Sequence, residues 1–273
     1  MTGREYPDLD TRPRVSNALA IHEQLVIHGV RYVPRYEMEL HERPVEILAP
    51  NLAERLQGVG KGQVLAIETI LSQSKLETIT ELAKPGTLIY SQFVDTIFPM
   101  IYERLTRKGF RVALFNGEDK SGLERFKKRE VDILIGSSAL GTGVDGLQYV
   151  CNRLIVNCLP WTSAGYEQLL GGVYRQGGFH DVEVFIPQVV LRNGADEWSW
   201  DKQRLARIRY KKTLADAAVD GVVPEANLVS PELMLEEARR ALDAWIQRLA
   251  NGEPHEIFRP ILKPLPPETV QEI

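Results

Sequence analysis

Within the stretch YEQLLGGVYRQG, a glutamine and an arginine, Gln168 and Arg175, stand seven positions apart beside two adjacent glycines, Gly171 and Gly172. On a helix, seven residues make nearly two turns, so both side chains would reach from one face, about 10 Å apart. An amide and a permanent cation so spaced suit an extended polyphosphate and its attacking water, where a positioned arginine stabilises developing charge. The plainer reading is an ordinary helix in an ordinary α/β domain. Upstream lies GSSALGTGVDGLQ, from Gly136 to Gln148, a Gly-rich turn behind a strand-like run. Its backbone N–H groups, with Ser137, Ser138 and Thr142, could hold anionic oxygens. Asp145 is the turn's one carboxylate. It could as easily brace the loop through its own hydrogen bonds.

The elements that would position these residues begin after Lys84. Strand-like runs fall at Thr87–Gln92, Arg111–Phe115, Val131–Ile135, Leu154–Val156 and Val182–Ile186. Helical patterns at Phe93–Lys108, Leu123–Lys128 and Tyr166–Tyr174 separate most of them. This alternation predicts an α/β fold, a mostly parallel sheet of about five to six strands covered by helices. In such sheets ligands bind at the carboxyl ends of the strands. Those ends carry Ser91 and Gln92, Asn116, Ser137 and Ser138, and the Leu159-Pro160-Trp161 turn. They offer small hydroxyls and amides but no acid/base machinery.

The first third lacks this rhythm. Leu19–Val30 reads as helix, the proline-punctuated RYVPRYEMELHERPVEILAP as a short hairpin, and Asn51–Gln57 and Val64–Leu71 as helices. Residues 1–72 are therefore expected to form a helical or extended arm. After Leu191, DEWSWDKQRLARIRYKK reads as a charged amphipathic helix. Pro231–Leu249 is a further helix opened by its proline, and the tail is too proline-rich for regular structure.

Bulk properties exclude several classes. Lys+Arg 33 against Asp+Glu 37 leaves a net charge of −4, so nonspecific nucleic-acid binding by the whole surface is not indicated, although a local basic groove is compatible. Basic runs such as RLTRKGFR and ERFKKRE read as solvated helix faces. No apolar stretch approaches the roughly 20 residues of a membrane span, and the amino terminus lacks a signal-peptide core. The 2 cysteines flank an apolar run as core side chains, and the 5 histidines are scattered, which argues against zinc. An intracellular location is expected: cytoplasmic in a prokaryote or virus, nuclear in a eukaryote. GVGKGQ, Gly58–Gln63, imitates a phosphate loop. However, Gly62 follows Lys61 where Ser or Thr is required, and Arg55 holds the first glycine position.

Five segments in order resemble the second RecA-like lobe of superfamily 2 helicases, and among these the Snf2-like DNA translocases. They are QSKLETITEL (Gln73–Leu82), GTLIYSQF (Gly86–Phe93), LFNGEDKSGLERF (Leu114–Phe126), DILIGSSALGTGVDGLQ (Asp132–Gln148) and RLIVNCLPWTSAGYEQLLGGVYRQG (Arg153–Gly177). The resemblance implies a single RecA-like domain over residues 73–190, flanked by the amino-terminal arm and a carboxy-terminal helical bracket with its tail, 191–273.

It further implies that Arg175 is an arginine finger acting with Gln168. Gly141, Gly143, Asp145 and Gly171 would lie near nucleotide, and Ser91, Gln92, Asn116, Ser137, Ser138 and Thr142 along a DNA backbone track. ATP and Mg2+ would be held mainly by a first RecA-like lobe absent from this chain. The implied partners are that lobe and double-stranded DNA, with no membrane. One family arginine is missing: Gly172 occupies its position, and its side chain would have shared the cleft face of Gln168 and Arg175. The alternative is a catalytically eroded stand-alone module that binds DNA or a partner. A third reading, a sugar-phosphate or nucleotide enzyme, would need acid/base residues at the strand ends.

Overall fold

A computed structural model describes residues 15–28, 36–57, 59, 63–141, 144–193 and 196–220. Thr142, Gly143, most of GVGKGQ, the helix expected at Pro231–Leu249 and the proline-rich tail lie outside the described residues.

Five strands follow the expected rhythm: β2 (Thr87–Tyr90), β3 (Val112–Phe115), β4 (Ile133–Gly136), β5 (Arg153–Val156) and β6 (Val182–Asn193). A further strand, β1 (Leu40–Leu48), comes from the segment read as arm and hairpin. It pairs in parallel with β6 from Leu40↔Val182 to Leu48↔Val190. Among the described residues of that segment no hairpin forms. Pro44 lacks an N–H, which an edge strand with one bonded side tolerates. The order is β1-β6-β5-β2-β4-β3, all parallel, and a short β7 (Asp196–Trp198) adds antiparallel to β6. β7 takes residues that were expected to open the charged helix.

Helices bridge the parallel strands: α4 (Ile97–Arg107), α5 (Ser121–Lys127) and α6 (Ser163–Val173). The amino-terminal helices are α1 (Val15–His28), α2 (Leu52–Leu56) and α3 (Val64–Leu82), and α7 (Trp200–Asp220) follows β7. α3 is one continuous helix where two segments had been read.

Alternate strand residues face opposite sides, and each side has its own core. Leu88, Leu134, Leu154, Val156 and Val184 pack with Phe126, Tyr166, Leu169, Val173, Leu205 and Ile208 from α5, α6 and α7. Ile89, Ile133, Ile135 and Ile155 pack with Ile79, Ile97, Phe98, Ile101 and Leu105 from α3 and α4. A third cluster around Leu52, Leu71, Val189 and Trp200 ties α2, α3 and α7 to the end of β6. The two cysteines are buried, and desolvation pushes both thiols up to about 12. They are inert core side chains.

Candidate functional site

The parallel register brings the carboxyl ends of β2, β3, β4 and β5 to one edge, as expected, but it does not expose every side chain there. Ser91 is fully buried. Its hydroxyl lies 3.5 Å from Cys158 Sγ and accepts from Asn157 Nδ2 at 3.5 Å. Ser137 is 5% exposed. Its hydroxyl donates to the Asn116 carbonyl and accepts the Ala139 N–H, both at 3.4 Å.

The expected backbone track therefore loses both side chains. The reason lies in the ladder: the Ser91 N–H donates to the Gly136 carbonyl at 3.0 Å and the Ser137 N–H to the Phe115 carbonyl at 3.1 Å. Each serine extends its strand by one residue and keeps its side chain inside.

Exposed at this edge are Asn116 and Ser138, with Gln92 half-buried. Asn116 closes a small turn by accepting the Glu118 N–H at 3.1 Å. Gln92 accepts from Arg204 at 3.3 Å and reaches Tyr90 Oη at 3.5 Å. Arg204 lies 3.6 Å over the Trp161 ring, which is 44% exposed. Arg204 comes from α7 and no local pattern marks it. Trp161 was legible only as a strand-end turn residue.

The Gly-rich turn and α6 do converge. After β4 the chain makes a 3-10 turn, Ser138–Gly141, against α6. A Cβ on Gly141 would come within 3.2 Å of the Gln168 Cβ, so the close approach favours glycine there. A Cβ on Gly172 would sit 3.5 Å from the Leu140 carbonyl oxygen, an ordinary contact. Positions 168 and 172, one turn apart, thus face the same backbone turn. Gly171 is exposed and meets nothing within 4 Å, so nothing local demands a glycine there.

Arg175 is not on the helix. α6 starts at its Thr162 cap, whose hydroxyl accepts the Gly165 N–H, and ends at Val173, with Tyr174 extended. The two-turn spacing argument therefore fails for Arg175. The loop itself brings its Nη1 to 3.5 Å from Asp145 Oδ1, with both side chains more than half exposed. Gln148 donates its amide to Asp145 at 3.1 Å. That bond above all, then the Gly146 N–H and the Arg175 charge, holds the Asp145 carboxyl below its ordinary range. Gln168 is exposed and has no hydrogen-bond partner among the described residues. An amide free at its tip and a loosely held guanidinium form a donor set that fits phosphate oxygens.

A buried ionic network that no sequence pattern marked joins α3 to α7. Lys75 Nζ donates to Asp201 at 2.6 Å and to the Asn157 carbonyl at 2.7 Å, and Asp201 accepts the Val189 N–H at 2.9 Å. Burial pushes the Asp201 carboxyl up, and Lys75 and the Val189 N–H pull it back. Beside it, Glu68 accepts from Arg204 and, at 3.0 Å, from the Trp200 indole. The carboxyl end of the sheet is thereby wired to α7.

Residues 72–177 match the family model of the helicase conserved C-terminal domain. This stretch is similar to a helicase C-terminal domain, in line with the motif resemblance, and it has the expected mostly parallel α/β architecture. Among solved structures the chain is similar to the C-terminal part of the Fun30 ATPase domain, at 14% identity and a TM-score of 0.38. The alignment covers 56% of this chain and 53% of that one, so the chain spans about half the length of that structure. No curated protein matches it. Among the described residues no helix is long and apolar enough to cross a membrane, and no cluster of His, Cys, Asp or Glu could hold a metal ion.

Proposed function

We propose that the chain is the second lobe of an ATP-driven, Snf2-like translocase on double-stranded DNA, with Arg175 acting as an arginine finger across the interlobe cleft. The observation that carries the reading is the convergence of two separate motifs. Asp145 from the Gly-rich turn meets Arg175 at 3.5 Å, while Gln168 packs on Gly141 of the same turn. ATP and Mg2+ are assigned mainly to a first lobe. ATP would supply the γ-phosphoryl group that is transferred to water, with ADP as the leaving group.

This chain's part is electrostatic. Arg175 is close enough to Asp145 to be oriented and exposed enough to turn to phosphate oxygens, and Gln168 presents an amide beside them. Asn116, Ser138 and Gln92 are assigned to a backbone track. They are uncharged donors, with salt dependence coming from basic residues of the flanking helices or the first lobe.

Gly172 supports a second reading, an eroded module that binds DNA or a partner without hydrolysis. Steady-state ATPase assays with and without duplex DNA, on this chain alone and joined to a first lobe, separate the two. The proposal expects background rates alone and DNA-stimulated turnover when joined. DNA-stimulated turnover by the lone chain would refute the half-site. Duplex binding without turnover in the joined protein would favour the eroded module.

A further inference from the structure

Helix α5 ends in a complete Schellman turn: the Arg129 N–H donates to the Phe126 carbonyl and the Glu130 N–H to the Arg125 carbonyl, both at 2.9 Å. The position that must turn left-handed is Arg129, with φ 60°. Glycine is its usual occupant, because an L side chain there crowds its own carbonyl. Among the described residues, every other positive φ belongs to a glycine. Strain of this kind persists where the side chain is wanted for something else.

Arg129 lines a cavity of about 350 Å³ at the amino-terminal ends of the strands, away from Gln92, Asn116 and Ser138. The one carboxylate lining it, Asp132, is already occupied by Arg111, accepting its backbone N–H at 2.9 Å, Nε at 3.1 Å and Nη2 at 2.7 Å. Nearby Glu130 faces Arg125 at 3.9 Å. The donors that remain are the Arg129 guanidinium, the Asn152 amide and the His180 imidazole. None of their side chains has a hydrogen-bond or ion-pair partner among the described residues.

Next to His180, and 3.9 Å from its ring, is Phe179, 68% exposed. Its ring is tilted only 24° from that of Tyr149, which is 45% exposed, at 6.5 Å between centroids. Surplus donors beside exposed, near-parallel rings match a phosphate carrying a flat base. We propose that this cavity binds the phosphate of a nucleotide unit, with Arg129 as its principal cation and the Phe179–Tyr149 pair receiving the base. The site uses neither Arg175 nor the carboxyl edge, although Tyr149 lies against Gly177 of the loop that carries Arg175.

The test is calorimetric titration of the 273-residue chain with inorganic phosphate, 5′-AMP and a 5′-phosphorylated thymidine octanucleotide, with melting temperatures measured in parallel. AMP is expected to bind more tightly than phosphate. Arg129→Gly should weaken both at least about tenfold while the melting temperature holds or rises by about 2 °C, since glycine relaxes the turn. Phe179→Ala should weaken AMP by about 5-fold or more and leave phosphate unchanged. AMP and octanucleotide binding alike identifies a free nucleotide as sufficient, and octanucleotide binding alone identifies a strand end. The proposal is overturned if no probe binds at millimolar concentration, if binding survives Arg129→Gly, or if it follows Arg175→Ala instead. Sensitivity to Arg129→Gly without sensitivity to Phe179→Ala would leave a plain anion site and reject the base.

Discussion

Arg175 Nη1 lies 3.5 Å from Asp145 Oδ1, which links the loop after α6 to the turn after β4. The two residues are thirty positions apart in the chain, and only the fold makes them neighbours. At 3.5 Å, with both groups exposed, the pair contributes little to stability. Its consequence is orientation.

In a protein joined to a first lobe, Arg175→Ala should lower turnover by about 10³ to 10⁵, the range of arginine fingers. Asp145→Asn should cost less, because the guanidinium survives and only its bearing is loosened. Since the Gln148 amide and the Gly146 N–H already hold the Asp145 carboxyl low, the pair stays ionised at neutral pH. DNA-saturated ATPase rates between pH 5 and 8 should therefore show no inflection that disappears in Asp145→Asn.

Gly172 lies in the last turn of α6 with ordinary contact distance, 3.5 Å, available to a Cβ. Gly172→Ala should stabilise the chain by about 0.5–1 kcal/mol in denaturant titration, through helix propensity. Gly172→Arg in the joined protein should raise turnover if the missing guanidinium is a true loss. Flat or lowered turnover would show that the parent protein compensates elsewhere.

Lys75 and Asp201 are both buried. Lys75→Met should destabilise by about 3–5 kcal/mol, because it strands a carboxylate whose other partner is the Val189 N–H. Lys75→Met combined with Asp201→Leu should recover much of that loss. Urea midpoints of the single and double variants measure it. Equal loss in both would mean that Val189, not Lys75, is the partner that matters.

Asp132 is held below the ordinary carboxylate range by its hydrogen bonds to the Arg111 guanidinium, chiefly, and to its backbone N–H. A depressed folded value means that its stabilisation is present above the unfolded value of about 3.9 and is lost as pH falls through the folded one. The wild type should exceed Asp132→Asn by about 0.5–1 kcal/mol at pH 7, a modest figure because Arg111 is solvated. The gap should close below about pH 4. A gap that persists at pH 2 would assign the effect to packing.

Much of the fold was legible because each central strand is a short apolar run between turn residues and each covering helix has an amphipathic period. Boundaries moved by a few residues, and α3 merged from two segments. The site was legible only where chemistry and local backbone coincide, as in Gln168 against the glycine turn. Ser91 and Ser137 misled because a strand-end serine looks the same whether the ladder runs one residue further or not. Arg175 stands out in the sequence for a helical spacing that its loop does not have, and it is the loop that brings it to Asp145.

By itself the sequence determined the parallel α/β lobe, its order of motifs and the identity of the groups available for chemistry, since these depend on local periodicity and residue type. Tertiary structure alone decided which of those groups face outward, that β1 extends the sheet beyond the arm boundary, and that Arg204 and Lys75 join α7 and α3 to the carboxyl edge. Those outcomes rest on pairings between residues about a hundred positions apart. Such pairings form only when the folded core makes leaving the partners unpaired costlier than bringing them together.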